Sequence, residues 1–142
     1  MARQAEAEWK GDLKGGSGRV KLGSGAYEGN YSFATRFENG TGANPEELLG
    51  AAHAGCFSMA LANSLATAGF TATSVHTNAD VHLNKDDKGV LINLIELTVD
   101  AVVPIIDNAT FQEHVEKTKV GCIISRALGS VPSMTVKATL KP

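Results

Sequence analysis

Two cysteines, Cys56 and Cys122, are the only thiols in the chain. His53 stands three residues before Cys56, one turn away on any helix that holds both. Arg36 and Arg126 are cations that could act on a thiol. A thiolate held near a cation is a nucleophile and a target for oxidants, whereas a thiol buried without one is an inert small hydrophobe. The residues alone leave two readings open: a redox pair, or two buried spectators. The same holds for His53, which either faces Cys56 chemically or is a hydrogen-bonded core histidine. His76, His82 and His114 fall on outward or polar positions and make no metal set. Neither a metal nor another cofactor is expected.

The elements that must position these groups can be read along the chain. Its 142 residues are 43% hydrophobic and 20% charged, a globular composition that suits one domain over residues 1–142. Thirteen basic and 15 acidic residues give a net charge of -2 with no basic block, so neither nucleic acid nor an anionic membrane is an expected partner. The start, "MARQAEAEWKGD", lacks the apolar core of a signal peptide, and a cytoplasmic location is expected. In that compartment a structural disulfide is not presumed.

"AEAEWKGD" and "RVKLGSG" are half-apolar runs joined by the hairpin-like "LKGGSG". "NYSFATRF", residues 30–37, alternates apolar and polar and predicts a third strand. "ENGTGA" is a loop. A helix follows from Asn44 to Phe70, then a strand "TSVHTNADVHL", the turn "NKDDKG", and a strand "VLINLIELTVDAVV" with Ile95, Leu97, Val99 and Val103 on one face. A second helix starts near Asn108 or Thr110, breaks at Gly121 and continues as "CIISRAL". "SMTVKATL" is the last strand. The order is βββ-α-ββ-α-β, an α+β fold with antiparallel sheets.

The helix over 44–70 has strong start signals. Asn44 is an N-cap, Pro45 fits the first turn, and Glu46 and Glu47 sit at the positive end of the dipole. Gly69 is a stop. Between Leu48 and Phe70 there is no charged residue. The run is long enough to span a bilayer, but His53 and its many Ala, Ser, Gly, Asn and Thr residues suit lipid poorly. A helix with no charged face needs protein cover on nearly every side. The small residues Gly50, Ala51, Ala52, Ala54 and Gly55 suit contact with another helix, and a second subunit is expected to complete the cover. Cys56 then lies in a packed apolar setting.

"TRFENGTGANPEELLGAAHAGCFSMAL", with "GFTATSVHTNADVHL" and "KVGC" after it, resembles the family of osmotically inducible protein C (OsmC) and organic hydroperoxide resistance proteins, and within it the OsmC branch. The resemblance runs from "EWKGD" to the last strand. It implies an intertwined homodimer, with antiparallel sheets around long central helices and two sites at the interface. It implies a thiol-dependent peroxidase for organic hydroperoxides and, less efficiently, hydrogen peroxide. By motif match Cys56 is the peroxidatic cysteine, Cys122 the resolving one, Arg36 the arginine that holds the thiolate, and Glu46 the carboxylate paired with it, with Glu47 as its neighbour. Many relatives carry Pro after the resolving cysteine, where Ile123 stands here. The resemblance implies a lipoyl-type dithiol as the reductant.

Under that resemblance an apolar site desolvates an oily hydroperoxide while a fixed guanidinium keeps the buried thiol charged. Phe37, Leu49, Phe57, Met59 and Ile123 are candidates for its wall, or plain core. Ten residues separate Glu46 from Cys56, about 15 Å along a helix, so the carboxylate and its arginine are expected to reach Cys56 from a partner subunit. Two other classes fit the same cysteines: a non-catalytic thiol redox sensor or binding protein, and a structural dimer.

Overall fold

The computed structural model describes all residues from Met1 to Pro142. The chain forms two compact units, Met1–Leu48 and Leu49–Pro142.

The first unit is built on strands β1 (Ala5–Lys10), β2 (Ser17–Leu22) and β3 (Glu28–Tyr31), an antiparallel meander in that order. Gly18 pairs with Trp9 on one side and Tyr31 on the other, and any side chain there would collide with both rings. The rings close over it at 5.4 Å between centroids. The strands bury little else, since their residues are mostly exposed.

The strand expected over residues 30–37 stops at Tyr31, and helix α1 (Phe33–Phe37) takes over. Ser32 and Thr35 form a reciprocal cap: the Thr35 amide donates to Ser32 Oγ at 3.2 Å and the Ser32 amide to Thr35 Oγ1 at 2.8 Å. Local capping overrides the alternation that suggested a strand.

Helix α2 (Pro45–Thr67) begins where its start signals predict. Asn44 Oδ1 accepts from the Glu47 amide at 2.8 Å, and Gly69 ends the run at φ +93. Within the second unit, His53, Phe57, Leu61 and Leu65 recur at helical spacing and are fully buried. The opposite face, with Ala51, Ala52, Gly55 and Met59, is exposed in the single chain. By length and composition α2 is the one helix able to cross a membrane, and such a helix equally serves as the core helix of a soluble protein.

Strands β4 (Ser74–Asp86) and β5 (Gly89–Val102) form a long hairpin whose strands run further toward the turn than the pattern suggested. Asn93 is left unpaired between the pairs His82↔Leu94 and Leu83↔Ile92, a β-bulge. The bulge switches parity, so both Ile92 and Ile95 pack on the core. Ile95, Leu97, Val99 and Val103 are buried, as their alternation predicts.

Helices α3 (Asn108–Gly121), capped by Asp107, and α4 (Ile123–Ala127) carry the chain back to β6 (Ser133–Lys141). That crossover returns the chain in the direction of β5, so β6 pairs with it in parallel. The second sheet, ordered β4-β5-β6, is therefore mixed and not wholly antiparallel as expected. The rest of the α+β order holds, with α1 and α4 as short additions. One core joins Phe57, Leu61 and Leu65 of α2, Ile95, Leu97, Val99 and Ala101 of β5, and Phe111 and Val115 of α3.

Candidate active site

Arg36 ends α1 and Glu46 opens α2, both in the first unit. The capping box of α1 aims Arg36 toward the first turn of α2. Arg36 Nη2 donates to Glu46 Oε1 at 2.8 Å, and Nε donates to Oε1 at 3.0 Å and Oε2 at 3.3 Å. This forked pairing fixes the plane of the guanidinium, which an ammonium would leave free. Glu46 is nearly buried while Glu47 points outward, so the arginine takes Glu46 and not its neighbour. The Arg36 guanidinium also lies 5.2 Å from the centre of the Phe37 ring.

Cys56 and Cys122 belong to the second unit. Cys56 borders the buried stripe of α2 and is half-buried; Cys122 sits where α3 hands over to α4 and is almost fully buried. The more enclosed thiol is thus Cys122. A mid-helix position does not itself bury a side chain, whereas the α3–α4 junction turns Cys122 into the core. The two sulfurs lie 3.2 Å apart and are not bonded. Either thiol can donate in that contact, and the one that ionises becomes the acceptor. Burial pushes the Cys122 thiol up, but hydrogen bonds from the Ser125 amide, the Cys56 side chain, the Ser125 hydroxyl and the Ile124 amide outweigh it. The net shift is below the ordinary thiol value, toward the thiolate.

His53 does not act as a free cation beside Cys56. It is wholly buried, its Nε2 lies 2.7 Å from Ser125 Oγ, and desolvation lowers its pKa and keeps it neutral. His114, expected on an outward position, is buried, with Nδ1 2.7 Å from Ser64 Oγ. The polar run "FQEHVEKTK" hides it, because one turn of α3 faces the core through Phe111 and Val115. His76 is exposed, and His82 pairs with Glu96 at 2.7 Å on the sheet surface. No three His, Cys, Asp or Glu side chains converge as a metal site. Arg126 is exposed on α4.

Of the candidate wall residues, Phe57 is core. Met59 and Ile123 are both 73% exposed in the single chain, and Phe37 is exposed as well. A cleft of about 530 Å³ between α2 and α3 reaches Cys122 and is lined by Ser64, His114, Lys117 and Thr118 among others. Ala60, Ala68 and Gly121 line it as well, so the cleft mixes apolar and polar groups. Sequence reasoning missed Ser125 and Ser64. The only available signal for Ser125 was its place one turn after Cys122.

Comparison with known proteins finds relatives in sequence and in fold. A family model described as OsmC-like protein matches residues 38–137. The chain is 50% identical over 127 residues to the peroxiredoxin OsmC of Escherichia coli, covering 89% of each protein. Its fold is similar to that of the organic hydroperoxide resistance protein OhrB of Bacillus subtilis, with TM-score 0.69 and 24% identity over 97% of this chain and 98% of that one. It is also similar to an OsmC-like protein of Mycoplasma pneumoniae, with TM-score 0.74 and 19% identity over 100% of this chain and 99% of that one.

Proposed function

Because this chain belongs to the OsmC family, we propose that it is a thiol-dependent peroxidase that reduces organic hydroperoxides, and hydrogen peroxide less efficiently, to alcohols or water. The observation that carries this reading is the pair of unbonded sulfurs 3.2 Å apart in a chain with no other thiol.

The Cys56 thiolate attacks the terminal peroxide oxygen. The O–O bond breaks, the departing alkoxide takes a proton to become an alcohol, and Cys56 is left as a sulfenic acid. Cys122 then attacks the Cys56 sulfur. An S–S bond forms, the S–O bond breaks, and the hydroxide leaves as water. A dithiol, of lipoyl type by family resemblance, reduces the disulfide by two exchanges and becomes a cyclic disulfide. Cycling through reduced thiols suits the cytoplasm.

The cation is assigned to Arg36, held flat by Glu46, and supplied by the partner copy in an intertwined homodimer with composite sites. Two observations support a partner. The first unit buries little beyond Gly18 and Glu46, too little to hold a sheet of three strands alone. The exposed face of α2 carries Ala51, Ala52, Gly55 and Met59, which suit another protein surface better than water. A partner also gives Met59 and Ile123 a place in an apolar substrate wall.

Consumption of cumene hydroperoxide with dihydrolipoamide or dithiothreitol, compared with hydrogen peroxide, tests the proposal. Faster turnover of the organic peroxide is expected. A protein that is oxidised once and does not turn over with any dithiol is a sensor, and the proposal fails.

A further inference from the structure

We propose that the cleft between α2 and α3 is a separate entrance for the dithiol reductant, which attacks the oxidised pair at Cys122 and not at Cys56. The inference rests on the peroxidase reading and adds to it a site for the second substrate.

Cys56, Ala60 and Ser64 follow one another at four-residue intervals along α2. His114 and Thr118 on α3, with Cys122 as its C-cap, are spaced in the same way. Side chains four apart share a helix face, so each set is a stripe. The two stripes touch at both ends. The sulfurs of Cys56 and Cys122 lie 3.2 Å apart at one end, and Ser64 Oγ lies 2.7 Å from His114 Nδ1 at the other. The helices therefore face each other in opposite directions.

Nothing bridges the middle of this seam. Ala60 offers only a methyl group, and Thr118 Oγ1 turns back to donate to the His114 carbonyl of its own helix at 2.8 Å. The space left between the stripes is the cleft of about 530 Å³, within the range of small-ligand sites. Eight residues of helix separate its two ends, about 12 Å. Asn63, Thr67 and Lys117 offer hydrogen bonds to a polar tail, and Ala60 and Ala68 offer methyl groups to its carbon chain.

The cleft distinguishes the two sulfurs. Cys122 lines it and Cys56 does not. Cys56 is nevertheless the more exposed residue, so its open side lies elsewhere and a hydroperoxide reaches it by another way. A thiolate in the cleft meets the Cys122 end of the disulfide. It attacks Cys122 Sγ, a mixed disulfide forms, the Cys56–Cys122 bond breaks, and Cys56 leaves as a thiolate. The second thiol of the reductant then attacks the reductant's own first sulfur. A cyclic disulfide forms and Cys122 leaves as a thiolate. Two electrons pass from the dithiol to the protein, and the two protons that the dithiol loses balance those that the cysteines regain. Cys56 is thus the first thiol restored.

The test begins from wild type oxidised to the disulfide by diamide, which needs no peroxidase activity. A brief reaction with 2-mercaptoethanol is quenched with acid, free thiols are blocked with N-ethylmaleimide, and peptide masses locate the mixed disulfide. The adduct should be on Cys122 with the maleimide on Cys56. The reverse pattern overturns the proposal, as does a chain that forms no disulfide with diamide. A second measurement narrows the cleft with Gly121→Leu, where an added side chain meets open space. The rate of reduction by dithiothreitol, divided by the rate of oxidation by cumene hydroperoxide, should fall roughly tenfold or more. An unchanged ratio overturns the proposal. If the adduct forms on Cys122 but wild type consumes no hydroperoxide, the peroxidase reading fails and the entrance stands.

Discussion

Cys122 Sγ lies 3.2 Å from Cys56 Sγ across 66 residues of chain. A disulfide needs about 2 Å, so the sulfurs must close by roughly 1 Å, within reach of small side-chain adjustments. Oxidation should therefore leave the far-ultraviolet dichroism unchanged. Closing a loop of this length should also stabilise the oxidised form by up to about 4 kcal/mol through the unfolded state. Denaturation in urea of the oxidised and reduced forms checks both statements.

Arg36→Ala should leave the protein folded, because the guanidinium is 40% exposed at its side chain and contributes little core. It should slow the reaction of Cys56 with hydroperoxide at neutral pH roughly tenfold or more, as loss of a nearby cation disfavours a thiolate. Lysine should rescue only in part, since it cannot make the forked contact with Glu46. Coexpression of Arg36→Ala with Cys56→Ser gives a direct check on composite sites. Mixed dimers regain activity if arginine and thiol come from different copies, and stay inactive if both come from one.

Stability should fall as acid is added below about pH 6.5, the ordinary histidine value. His53 is neutral and buried when folded, with its pKa lowered by desolvation, so the unfolded chain takes up a proton that the folded chain refuses. Its contribution is complete above the unfolded pKa and is lost as pH falls toward the folded one. Thermal melts of wild type and His53→Gln across this window should show a smaller loss in the variant.

Most of the fold was legible in the sequence where a strong local signal agreed with packing. The α2 start, its glycine stop and the buried face of β5 are of this kind. Residues 32–37 were misread because alternation outweighed the weaker cap signal of Ser32 and Thr35. The parallel pairing of β6 depends on a crossover that no local pattern encodes. Of the candidate site, the motif match named Arg36 with Glu46 and Cys56 with Cys122, and each couple is in contact. His53 with Ser125 is a contact between residues 72 apart, which spacing alone does not reveal.

Ile105 holds φ 71 in a loop where it is 98% exposed. A β-branched residue is strained there and its side chain gains nothing from packing. Ile105→Gly should raise stability by about 1 kcal/mol, whereas Leu61→Ala, in the fully buried stripe of α2, should lower it by roughly 2–5 kcal/mol. Urea midpoints for the two variants should move in opposite directions.

The central claim is that Cys56 is oxidised first and Cys122 resolves it. Stopped-flow reaction with one equivalent of cumene hydroperoxide, followed by mass analysis, tests it in wild type, Cys56→Ser and Cys122→Ser. Wild type should lose two hydrogens as the Cys56–Cys122 disulfide forms. Cys56→Ser should give no burst. Cys122→Ser should consume one equivalent and carry a sulfenic acid at Cys56, or a sulfinic acid at excess peroxide. A normal burst from Cys56→Ser, or none from Cys122→Ser, would contradict the account and reverse the two roles.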